Sequence, residues 1–345
     1  TDAVGNVGSG DSDTVVINTV NPVAVVEFPA VTLSDSANST SVTITFSAVP
    51  LGFVAGDDLT VANGSLGTGS FDTDNLVWTA TYTANDDFDG SGSVEIAAGS
   101  YSDAAGNAGG GDADTVDIDT TNPTATVTVA DDDLIAGETS AVTILFSELV
   151  VGFSNDDLLV ANGTLSDVSS TDQITWTATF TPNADVEAAG NVIALDLSGV
   201  SDAVGNSGSG TVDSNAYVID TLVPVVTVEA LTTNDTTPGL SGEVDDANAT
   251  LSLTVAGQTV AAVNNGNGTW TLADDVLNAL TEGVYDVAVS ATDAAGNIGV
   301  DTTTNELVIG VQPPVVTVDS LVTNDTTPEL TGTVDDGSAV VSVSV

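Results

Sequence analysis

Four copies of one phrase present hard oxygen ligands at regular intervals: Asp2-Ala3-Val4-Gly5-Asn6, Asp103-Ala104-Ala105-Gly106-Asn107, Asp202-Ala203-Val204-Gly205-Asn206 and Asp293-Ala294-Ala295-Gly296-Asn297. Each offers a carboxylate, a carboxamide and, beside its glycine, free backbone carbonyls. Calcium takes six to eight such oxygens at about 2.3–2.6 Å, whereas magnesium demands a stricter octahedron and keeps more water. The same residues also make Asx turns, in which Asp and Asn cap their own backbone, and both readings stand at this level. A second mark follows three of the phrases: Asn18-Thr19-Val20-Asn21-Pro22, Asp119-Thr120-Thr121-Asn122-Pro123 and Asp220-Thr221-Leu222-Val223-Pro224. Two of these linkers contribute a further carboxylate.

The chain has no Lys, Arg or His against 50 Asp and Glu, a formal charge of −50. No internal salt bridge can offset that charge. Two carboxylates about 5 Å apart repel by about 3 kcal/mol at an effective dielectric of ~20, so acidic clusters must be splayed, protonated or bridged by a metal ion. Most of the acids read as a solvated surface. Nucleic acid and anionic lipid are excluded as partners, because binding phosphate requires basic residues. With no Cys there are no disulfides and no thiolate chemistry, and with no His or Lys there is no general base near neutral pH and no activated serine. Aromatic residues are 4% of the chain, too few to line a glycosidase cleft. These absences point to a protein that is not an enzyme. No run approaches the ~20 apolar residues of a membrane span.

The elements that position the phrases are short strands. The phrases begin at 2, 103, 202 and 293, so 101, 99 and 91 residues separate them, the length of a small all-β domain rather than a solenoid turn. Each linker proline precedes an alternating apolar run such as Val225-Val226-Thr227-Val228, which places domain boundaries near 22, 123, 224 and 314. The expected organisation is the last strand of a preceding domain over 1–22, domains over 23–123 and 124–224, one of a second type over 225–314, and the start of another over 315–345. In 225–314, alternation predicts seven strands: 225–231, 239–244, 249–255, 258–263, 269–273, 284–292 and 302–309. Ala256-Gly257-Gln258 reads as a hairpin and Asn264–Gly268 as a turn. Seven short antiparallel strands in about 90 residues match an immunoglobulin-like sandwich. The fold class is all-β, tandem immunoglobulin-like β-sandwich domains arranged as an extended rod.

Domains 23–123 and 124–224 share one pattern. Val42–Ser47 answers Val142–Ser147, Gly52-Phe53 answers Gly152-Phe153, and Trp78–Tyr82 answers Trp176–Phe180. Thr323–Pro328 repeats Thr233–Pro238, so a second type returns at the end. Trp78, Trp176 and Trp270 alternate with threonines or follow one, and each is expected to face a sandwich core.

Sandwich topology brings the second-third, fourth-fifth and sixth-seventh loops to one pole with the incoming linker. Asp220, Asp245, Asp246, Asp293 and Asn297 are therefore expected to hold Ca2+ before residue 225, with a carbonyl near Gly296. The equivalent set before 124 is Asp119, Asp202 and Asn206, joined by Glu148, and before 23 it is Asp103 and Asn107. Asn18 stands where the other linkers carry Asp. Val311-Gln312-Pro313-Pro314 has no acid, so Asp335 and Asp336 are expected to bind weakly or not at all. Asp131–Asp133 and Asn155–Asp157 are further candidate sites within domains, although acidic triplets in loops are more often solvated than coordinating.

In series, the Phe-Ser, Gly-Phe, Asn-Gly-[Ser/Thr]-Leu and Asp-Ala-x-Gly-Asn elements resemble the bacterial Ig-like domains. The Asn-Asp-Thr-Thr-Pro…Val-Asp-Asp type is similar to those stacked in giant surface adhesins of the repeats-in-toxin class. That resemblance implies a calcium-stiffened extender between a cell-surface anchor and distal ligand-binding domains, outside the bacterial cell, serving adhesion or biofilm formation. Its partners would be calcium ions and neighbouring domains of the same chain. The alternative is a filament or surface layer in which copies of the chain associate through metal-bridged carboxylates.

Overall fold

Alternation decides the strands. In Val77–Ala84, residues Trp78, Ala80, Tyr82 and Ala84 are buried while the intervening threonines face outward, the two-residue period of a half-buried strand. The computed structural model describes residues 3–5, 7, 11–310, 313–335 and 339–344. Asp2 and Asn6 of the first phrase, Val311, Gln312 and Asp336 lie outside the described residues. Contacts divide the chain into two compact units.

The first unit comprises residues up to 132 with 140–181 and 191–216. It contains a complete sandwich. One sheet runs Ala24–Glu27, Ser39–Phe46, Val77–Ala84, Gly64–Leu66, with Ser70–Phe71 also on Val77–Ala84. The facing sheet runs Thr32–Leu33, Asp112–Asp119, Asp89–Ile96, Leu59–Ala62, parallel only at its first pair. Val42, Ile44 and Tyr82 of one sheet share a core with Val94, Ile96 and Ile118 of the other. Each such large side chain contributes about 1.5–3 kcal/mol on burial. The Tyr82 hydroxyl donates to the Ala62 carbonyl at 2.8 Å, which satisfies its one polar atom. The same unit repeats the first sheet as Ala125–Val129, Ser140–Phe146, Thr175–Pro182, Gly163–Leu165, and adds Leu158–Val160, Ile193–Asp196 and Thr211–Asp213.

The second unit comprises 133–139, 182–190 and 217 onward. Asp133–Ile135 lies parallel to Tyr217–Asp220, with Leu134 opposite Ile219. Beyond the linker, a six-stranded sheet runs Leu240–Glu243, Thr269–Leu272, Gln258–Asn264, Thr250–Val255, Val287–Thr292, Ile298–Val300. Leu231–Thr233, Leu307–Ile309 and Gly283–Tyr285 form the other sheet. Leu253, Trp270, Val289 and Leu307 pack in one core.

Four strand expectations change, the first at 225–231, where only Val226 forms a bridge, to Val244, and the regular strand starts at Leu231 as Leu231–Thr233. The run 284–292 is two strands, because Asp286 breaks it: Gly283–Tyr285 pairs with Leu307–Ile309, while Val287–Thr292 pairs with Thr250–Val255. Residues 302–306 are not strand, and Ile298–Val300 is an extra one. The buried Glu306 carboxylate accepts the Val287 N–H at 3.0 Å just past the break, so the end of the expected last strand caps the switch between sheets. The turn at Ala256-Gly257 has φ of 50° and 77° and leaves Val255 opposite Gln258, a two-residue hairpin with both central residues left-handed.

Trp78 and Trp270 are buried, but Trp176 is only half-buried. The reason lies one strand away. Phe71 pairs with Trp78 in register and its ring sits 5.9 Å from that of Phe53 and 6.0 Å from that of Phe46. Opposite Trp176 stands Ser170, which has no ring to contribute.

Candidate metal centres at the acidic junctions

Asp119 ends the strand Asp112–Asp119, where the register sets it opposite Asp89. Glu148 follows the strand Ser140–Phe146, and Asp202 opens the third phrase. Ligand oxygens of Asp119, Glu148 and Asp202 lie within 4.8 Å of one another, and among the described residues this acidic triad is the group able to share one ion. Burial, followed by the charges of Asp119, Asp202 and Asp89, pushes the Glu148 carboxyl above the ordinary glutamate value, while a hydrogen bond with Ser147 opposes this. Repulsion in such a group is about 3 kcal/mol per pair. The chain offers no cation to relieve it.

The phrase itself folds as an Asx turn. Asp202 Oδ1 accepts the N–H groups of Val204, Gly205 and Asn206 at 2.9, 2.7 and 2.8 Å. Gly205 adopts φ of 96°, a conformation that favours glycine. Asn206 is fully buried. Its amide donates to Asp202 Oδ2 at 2.6 Å and to the Asp119 carbonyl at 2.8 Å, and its oxygen accepts the Asp35 N–H at 2.6 Å. Reversing that amide would set its oxygen against a carboxylate and its NH2 against an N–H, so these partners fix its orientation. The carboxylates face the shared point, and the carboxamide clasps them.

The next junction repeats the clasp. Asn297 donates to Asp293 Oδ2 at 2.8 Å and to the Asp220 carbonyl at 3.0 Å, and accepts the Ala136 N–H at 2.8 Å. Burial raises the Asp293 carboxyl, but the Asn297 amide and the N–H groups of Gly296 and Asn297 outweigh it and leave it below the usual aspartate value. Asp220, Asp245, Asp246 and Asp293 line one cavity of about 430 Å3 together with Glu187. Asp245 also accepts the Val225 N–H at 2.7 Å, and Asp246 accepts that of Asn248 at 2.8 Å. Of the loop Asn264–Gly268, Asn264 reaches this region, donating to the Asp246 carbonyl at 2.9 Å. Asn265 and Asn267 instead bond Thr269.

At the first junction the Asn18 amide donates to Asp103 Oδ2 at 2.9 Å, beside the Asn107 amide at the same distance. The Asn107 bond, with backbone N–H groups of Ala105, Gly106 and Asn107 and against a smaller effect of burial, holds the Asp103 carboxyl below its ordinary value. There a neutral amide fills the place facing the carboxylate. Asp335 accepts the Val315 N–H at 2.8 Å, as Asp245 does that of Val225. Asn155–Asp157 is a short 3-10 turn capped by Ser154.

Sequence reasoning passed over Asp89 and Glu187. The signal was available: Asn85-Asp86-Asp87-Phe88-Asp89 answers Asn183-Ala184-Asp185-Val186-Glu187, with an acid in the last place of both.

A family profile described as bacterial Ig-like domain matches residues 18–118 and again 119–219, and a second profile of the same description matches 228–309. The chain belongs to the bacterial Ig-like domain family. Two domain types within this family thus follow one another in the array, as the two sequence patterns require. No curated protein matches the array in sequence. Solved structures similar to it include a 1.5-MDa bacterial ice-binding adhesin (19% identity, 85% of this chain and 100% of that one, TM-score 0.38). Others are a Ca2+-stabilized adhesin of an Antarctic bacterium (21%, 88% and 77%, TM-score 0.33) and the I9–I11 tandem of titin (9%, 84% and 98%, TM-score 0.31).

Proposed function

We propose that this array of bacterial Ig-like domains is the spacer of a surface or secreted bacterial adhesin, stiffened by Ca2+ at its acidic junctions. The observation that carries this reading is the convergence of Asp119, Glu148 and Asp202 on one point in a chain without a cation. Three carboxylates of hard oxygen suit calcium, and the raised Glu148 carboxyl marks charge in need of a counter-ion. In this proposal the domains meet near 22, 123, 224 and 314. Asp220, Asp245, Asp246 and Asp293 hold metal at the next junction with Glu187. Asn107, Asn206 and Asn297 secure the neighbouring aspartates, and Asp103 pairs with Asn18 instead of an ion.

The role is mechanical and not enzymatic, since the chain has no His, Lys or Cys to act as base or nucleophile. Each domain adds length, and each metal fixes an angle. Extracellular calcium modules bind at about 10⁻⁴–10⁻³ M, so such a spacer is loose inside a cell and rigid outside, where it projects distal domains for adhesion or biofilm growth. Small-angle scattering and calorimetric calcium titration of the whole chain test this. Saturable millimolar or tighter binding with a longer, stiffer monomer is expected. Identical scattering with calcium and with chelator would refute the spacer, and calcium-driven growth in mass would replace it with a self-assembling layer.

A further inference from the structure

We propose that the domain containing Trp176 carries a recognition pocket for an arginine side chain of a partner protein. Where Phe71 fills the space beside Phe53 and Trp78 in the first domain, Ser170 leaves it open in the second. Beside it lies a cavity of about 330 Å3, with Phe153, Val168 and Trp176 among its walls and Asp156 and Asp167 on its rim. The two rings meet edge to face at 5.1 Å, so the half-buried indole is held rigidly.

The donor and acceptor inventory selects the occupant. Asn155 is committed on both sides, its amide to the Ser166 carbonyl at 3.0 Å and its oxygen to the Val168 N–H at 2.8 Å. Ser154 is spent capping the turn, accepting from the Asp156 N–H and meeting Asp157. The Trp176 Nε1–H has no hydrogen-bond partner but is itself buried, so what remains free on the rim is the pair of exposed carboxylates of Asp156 and Asp167, which accept and cannot donate. A sugar needs donors as well as acceptors and would leave its own oxygens unmatched. A guanidinium has donors only, pairs with carboxylates and stacks on indole faces, which a compact ammonium does less well. The net charge of −50 draws cations to this surface, and none of these 345 residues is an arginine that could fill it. The pocket uses none of the junction acids, so it stands or falls apart from calcium.

The test is fluorescence anisotropy of a neutrally labelled peptide with a single arginine between glycines, titrated with the whole chain at fixed calcium and 0.15 M salt. Saturable binding is expected. Ser170→Phe, which restores the ring of the first domain, and the pair Asp156→Asn with Asp167→Asn should each weaken it about tenfold or more, the scale of one desolvated cation–π contact with its charge pairing. Asp74→Asn with Asp117→Asn removes the same charge from exposed positions of the first domain and should change it less than about twofold if screening makes distant charges weak. The proposal is overturned by absence of saturable binding, by equal loss in both asparagine pairs, by a lysine peptide of the same charge binding as well, or by displacement with maltose. Should Ser170→Phe lose its near-ultraviolet circular dichroism, the two asparagine pairs decide the matter alone.

Discussion

The backbone N–H of Asp35 donates to the side-chain oxygen of Asn206 at 2.6 Å across 171 positions of sequence. A single carboxamide therefore joins the turn that presents Asp202 to a loop of the preceding domain. Ala136 and Asn297 repeat the relationship at 2.8 Å.

Asn206→Ala should lower stability by about 2–3 kcal/mol, because it strands the Asp35 N–H and removes the amide facing Asp202 at a fully buried site. Urea unfolding, followed by intrinsic fluorescence, measures it. A loss under about 0.5 kcal/mol, the range of ordinary surface changes, would mean that the clasp does not hold the junction.

Glu148→Gln should have opposite effects in two buffers. In chelator it removes one of the three mutually repelling charges, so the melting temperature rises. In saturating calcium it removes a ligand, so the stabilisation by bound metal, about 2.7 kcal/mol at a hundredfold excess over Kd, shrinks. Differential scanning calorimetry in both buffers checks this, and an equal shift in the two would contradict it.

The pH dependence of the calcium-free chain follows from the direction of the Glu148 shift. Its carboxyl is raised in the folded state, so in the window between the ordinary glutamate value and the raised one the folded form binds more protons. Stability falls as pH climbs through that window and stays lower above it. Asp103, which is lowered, works the other way, and Asp172, lowered to about 2 chiefly by N–H groups of Thr175 and Ile174, also loses its contribution as pH falls from about 4 towards 2. Thermal melts in chelator from neutral pH to about pH 5 should show a gain on acidification that Glu148→Gln abolishes and that the two aspartates do not reverse until lower pH.

Asn18→Asp should turn the first junction into a calcium-dependent one. The amide that now donates to Asp103 at 2.9 Å becomes a carboxylate opposite a carboxylate. Melting in chelator is expected to fall, and millimolar calcium should restore it and add a binding event in calorimetry. No extra calcium response would show that a linker acid alone does not create a site.

Repeated phrases and two-residue alternation were enough to read tandem Ig-like sandwiches of two domain types, because each of these signals is local or strictly periodic. Asp119, Glu148 and Asp202 could be grouped for the same reason: loop order in a sandwich decides which segments share a pole. Tertiary structure alone decided the rest. That Asn206 clasps instead of facing the shared point depends on an N–H from Asp35, and that Trp176 is half-buried while Trp78 is buried depends on the neighbours each meets across the ladder, Ser170 in one case and Phe71 in the other. The break at Asp286 hands one run of alternating residues to two sheets, which no period within that run records. Periodicity says which face a side chain occupies; its partner across the fold determines what it does there, and that partner is chosen by packing between segments far apart in the chain.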